Sequence, residues 1–130
     1  METFSMKRLG MAAGAALLGI VMSSAAWAAG DHATVTGYVI DSACTFTHNL
    51  NKPVSSECAV TCAKAGSPLV ILSDDGIVYW PIGATMPAKS QNERLIPYAG
   101  KRVIVNGTVY SKGGSRAVVI ERIEAEPARK

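Results

Sequence analysis

The chain has three cysteines and two histidines in 130 residues, and none of them falls in a common short motif. There is no C-x-x-C, which excludes the thioredoxin-type redox motif and the C-x2-C knuckle of most zinc sites. There is no C-x-x-C-H, which excludes covalent haem attachment. No Gly-rich phosphate loop, no Ser-His-Asp set and no paired carboxylates at a plausible site occur, so phosphoryl transfer, acyl transfer and glycoside hydrolysis lack the residues they need. No repeat or low-complexity segment is visible. No apolar run reaches the roughly 20 residues that span a bilayer.

The apolar run that does occur is residues 9–22. It follows Lys7 and Arg8, has no acidic residue and leads into SSAAWAAG, where Ala26 and Ala28 form an A-x-A cleavage site. A basic start, a short apolar centre and small residues at the cut define a secretory signal peptide. Residues 1–28 are therefore expected to be removed. Ala29 rather than Cys follows the cut, so nothing points to a lipoprotein. The expected product is a periplasmic or secreted domain, 29–126, with no membrane anchor and a polar, flexible tail, 127–130. Removing Glu2, Lys7 and Arg8 leaves 11 basic and 9 acidic residues, a net charge of +2. That is too weak and too scattered to hold nucleic acid. An exported protein partner is left open.

Alternation and β-branched content predict a strand over 33–40. Residues 41–55 have no period and many turn formers, and are expected to be a loop. SSECAVTCAKAG (55–66) predicts a helix of two to three turns: Ser55 or Ser56 can cap it, Glu57 suits the first turn, Lys64 the last, and Gly66 the position after the end. LVILS (69–73) and GIVYW (76–80) predict a hairpin turning at Asp74-Asp75-Gly76. A long connection follows, with one helical turn near 92–96. Residues 101–110 and 115–125 predict a second hairpin, turning at Gly113-Gly114. Five short strands imply a mainly β fold, a small OB-like barrel with one short helix after the first strand. Closure would remove sheet edges that a small domain otherwise exposes. Gly37 and Gly107 fall mid-strand, where barrels bend or bulge. Of Tyr79 and Trp80, one ring is expected in the core and the other at the rim. Glu121, Glu124 and Glu126 read as solvated charges.

GYVIDSAC, ECAVTCAKAGSPLVIL, the DDGIVYW hairpin and LIPYAGKRVIVNGTV together resemble a family of small exported bacterial proteins with OB-like barrels. The pattern is G-x-V-x-D-x-x-C, then C-A-x-x-C-A-x-x-G-x-P, and the likeness covers residues 37–123. It implies a fold and a compartment, and no reaction. It would put a histidine just before the first helix cysteine, where this chain has Glu57.

The three thiols admit three uses. In an oxidising compartment thiols form disulfides, and an odd count leaves one over. Cys58 and Cys62 are one helical turn apart, and a bridge between them would strain the helix. Cys44 with either is the better staple. Alternatively the three converge on one ion. Thiolates select Cu(I) or Zn(II), and His48 could complete a Cys3His set. Thirdly, Cys58 in the first turn could serve thiol–disulfide redox. Asp41 either orients a ligand or caps the loop. The expected protein is a non-enzymatic binding or accessory module whose candidate metal residues are Cys44, Cys58, Cys62 and His48.

Overall fold

The computed structural model describes residues 29–128; the expected signal peptide lies outside them. The order is β1 (Asp31–Asp41), α1 (Ser42–Thr47), α2 (Ser56–Lys64), β2 (Leu69–Ser73), β3 (Val78–Pro81), α3 (Asn92–Leu95), a 3-10 turn (Ile96–Tyr98), β4 (Arg102–Lys112) and β5 (Ser115–Ala125). The strands close a barrel in the order β1-β2-β3-β5-β4. All pairs are antiparallel except β3 with β5, which run parallel. The mainly β, five-stranded OB-like barrel is thus observed.

The helices differ from expectation. There are two between β1 and β2, not one, because the first half of 41–55 is α1. Its residues are poor helix formers, and a capping bond from Asp41 with packing on the barrel overrides the weak propensity. Besides these, α3 and the turn after it occupy the link between β3 and β4, where the one helical turn was expected. β3 begins at Val78, since Gly76 belongs to the preceding turn with φ 83°.

Strand alternation builds two cores. Val35, Val39, Leu69, Ile71, Val103, Val105, Val118 and Ile120 fill the barrel, joined by Ala59 and Ala63 of α2 and Leu95 of α3. The opposite face of β1 and β2 presents Ile40, Val70 and Leu72, with Leu50, Val78 and Trp80 packed on them. β2 is buried on both faces, which explains its unbroken apolar run. Tyr79 packs on the first core and Trp80 on the second, so the two rings point opposite ways. Trp80 is not left at a bare rim: Phe46 of α1 stacks on it, centroids 6.2 Å apart.

Gly37 is required where β1 crosses β2, since a Cβ there would lie 2.1 Å from the Leu72 carbonyl oxygen. At Gly107 the register with β5 slips, the bulge anticipated for that position. Gly113 and Gly114 both have positive φ, as a two-residue hairpin turn between twisted strands demands. Glu126 is not merely solvated. Its carboxylate accepts from Arg102 Nε at 2.6 Å, and its backbone N–H donates to the Arg102 carbonyl.

Candidate metal centre

Cys44 and Cys58 occupy equivalent places on two helices. Asp41 is the N-cap of α1, and its Oδ1 accepts from the Cys44 N–H at 2.8 Å. Ser55 is the N-cap of α2, and its Oγ accepts from the Cys58 N–H at 3.0 Å. Each cysteine therefore stands third into its helix, held by a cap three residues earlier. Cys62 follows one turn on, on the same face of α2 as Cys58.

α2 ends in a Schellman motif. The Gly66 N–H donates to the Ala63 carbonyl and the Ser67 N–H to the Cys62 carbonyl, with Gly66 at φ 103°. That turn aims the Ser67 hydroxyl at Asp41, to whose Oδ2 it donates. The Thr45 hydroxyl donates to the Asp41 carbonyl at 2.6 Å, and the Ser42 N–H to the Pro68 carbonyl at 3.0 Å. α1 is thereby folded back against the end of α2.

The result is convergence. The sulfurs of Cys44, Cys58 and Cys62 all lie within 4.8 Å of one another, each half-buried. Among the described residues they are the one group of three or more potential metal ligands so placed. All three thiols are free, and no disulfide joins them. His48, expected as a fourth ligand, is not in the group. It is exposed, and its backbone N–H closes α1 on the Cys44 carbonyl at 3.1 Å. The site as observed is therefore three sulfurs backed by one carboxylate.

Asp41 is 2% exposed. Burial disfavours its charge, but bonds from the Ser67 hydroxyl, the Cys44 N–H and thiol, and the Ala43 N–H outweigh this and hold its pKa below the usual 3.8. It is an anion beside three thiols. The Cys44 thiol, bonded to Asp41, desolvated and repelled by that charge and by the other two sulfurs, is pushed up to about 11. Burial, then the charges of Asp41 and Cys58, raise Cys62. Ile40, Leu50, Pro53, Val54 and Ala59 wall a cavity of about 10 Å3 beside Cys44 and Cys58, at the lower limit for one water.

Two contributors escaped sequence reasoning. Ser67 sits in an ordinary helix-stop sequence, and nothing local marks its bond to Asp41. Asn92 comes from α3: its Nδ2 donates to the carbonyls of Ala63 (3.1 Å) and Ser67 (2.8 Å), and its Oδ1 accepts from the Leu69 N–H at 2.9 Å. Only the barrel brings it there. No protein-family model, characterised protein or solved structure matches this chain.

Proposed function

We propose that this protein is an exported, non-enzymatic binding module that holds a thiophilic metal ion on Cys44, Cys58 and Cys62. The observation that carries the reading is the mutual approach of three sulfurs from two helices. Soft thiolates select Cu(I) and Zn(II) over harder cations. Cu(I) is content with three such donors, whereas zinc prefers a fourth, and His48 does not join the group. Copper is therefore the favoured ion. The A-x-A leader supports export.

The same convergence favours a second reading, in which Cys44 bridges to Cys58 or Cys62 as a staple. A thiol–disulfide enzyme is less supported. The chain has no C-x-x-C, the pairing such enzymes use.

A thiol count on protein taken from its own compartment separates these readings. One free thiol means a staple; three thiols protected by bound metal mean a site. The direct test is an anaerobic competition titration of the reduced protein with Cu(I). Wild type is expected to bind one ion, Cys58→Ser and Cys62→Ser far more weakly, and His48→Ala as wild type does. Binding no tighter in wild type than in the two cysteine variants would rule out a cysteine site.

A further inference from the structure

We propose that Ser67 and Asn92 are positioning residues of the cysteine site: they fix the distance between Cys44 and the α2 pair, and so set how tightly the metal is held. The inference rests on the metal-binding reading above.

The site has two carriers. α2 brings Cys58 and Cys62 in fixed relation, because both lie on one helix. Cys44 comes separately on α1, six residues long. A helix that short has no stability of its own, so something else must hold Cys44 against α2. Just beyond the β1–β2 ladder the backbone link is the Ser42 N–H to Pro68 carbonyl bond. The side-chain link is the Ser67 hydroxyl on Asp41, whose other oxygen holds the Cys44 N–H. Cys44 is thus tied to the end of α2 through one carboxylate and one hydroxyl.

Ser67 would be a loose anchor if its own backbone could swing. Asn92 prevents that. Its amide grips the carbonyls of Ala63 and Ser67, on either side of Gly66, and takes the Leu69 N–H where β2 begins. Three of the four hydrogen bonds that an asparagine side chain can make are used on this one turn. The chain of support runs from Asn92 to Ser67 to Asp41 to Cys44. Outer residues that orient metal ligands typically change affinity by about 10–100-fold when removed.

The chemistry gives discriminating variants. Ser67→Ala deletes the hydroxyl, and Ser67→Thr keeps it. Asn92→Asp keeps the shape but replaces two donated bonds with an oxygen facing two carbonyl oxygens. Val105→Ala, a core truncation on β4, lowers stability without touching the turn. Each full-length reduced protein is titrated with Cu(I) against a chromophoric chelator, with folding checked by circular dichroism and the thiolate-to-copper absorption recorded. Ser67→Ala and Asn92→Asp are expected to weaken binding about 10–100-fold and to alter that absorption. Ser67→Thr and Val105→Ala should match wild type. If Asn92→Asp does not fold, the two Ser67 variants decide. Wild-type affinity and spectrum in Ser67→Ala would overturn the positioning role and leave the metal site standing, as would equal weakening in Val105→Ala. A wild type that binds no Cu(I) would remove the metal reading and this inference with it.

Discussion

Raising the pH from 6 to 8 should strengthen Cu(I) binding steeply, and the slope follows from the site. Cys44 holds its proton up to about 11, chiefly because Asp41 accepts from it. Cys62, desolvated and near the same charge, holds its proton above the usual 9.0. Both are protonated throughout this window, and binding through sulfur must expel both protons. Each proton released raises the apparent binding constant about tenfold per pH unit. Two protons give about 100-fold per unit, or about ten-thousand-fold from pH 6 to 8. Only these two thiols are counted, so the slope is a lower bound. The assay is a competition titration at each pH, with the chelator's own protonation calibrated separately. Asp41→Asn should leave the slope below pH 8 unchanged but lessen it above: between pH 9 and 11 wild type should gain more than the variant, which has lost the carboxylate that chiefly holds the Cys44 proton. A slope of tenfold per unit or less between pH 6 and 8 would mean that one of the two thiols is not a ligand or is already ionised. The first would refute the three-sulfur site and the second the electrostatic account of it.

Two further outcomes test the fold that carries the site. Asp41 has a depressed folded pKa, so the stability it contributes is present above its unfolded value near 3.8 and lost as pH falls through the folded value; thermal melts should show a smaller loss between pH 6 and pH 3 in Asp41→Asn than in wild type, and equal losses would deny that role. Leu95→Ala empties a fully buried position where α3 enters the core, and denaturant melts should show a cost of about 2–5 kcal/mol, whereas a loss below about 1 kcal/mol would mean that α3 is not docked there.

The strands were largely legible in advance because their physics is local. The 69–73 and 115–125 boundaries were read from apolar runs and from glycines that supply positive φ. The second helix was legible for the same reason: Ser55, Lys64 and Gly66 carry their signals within a few residues of the ends they mark. The first helix was not. Ser42, Cys44, Thr45 and Thr47 prefer no helix, and D-S-A-C reads equally well as a loop cap. D-x-x-C and S-x-x-C are the same device, a capping oxygen three residues before a cysteine.

The sequence by itself determined which atoms were available: three sulfurs, two of them one turn apart on a helix, and a carboxylate three residues before the third. It could not determine that they meet. Cys44 lies 14 residues from Cys58 along the chain, and their approach depends on β1 pairing with β2 and on α1 folding back over α2. Nor could it say that His48 stays outside: it stands one turn beyond Cys44, but α1 ends at Thr47 and His48 is its C-cap, out of helical geometry at φ −107° and ψ 5° and exposed. The bond from Ser67 to Asp41 spans 26 residues, and that from Asn92 to Ser67 spans 25. Contacts of that separation leave no periodic trace in a chain. They exist only where closure of the barrel brings the end of one helix, the start of another and the cap of a third to one place.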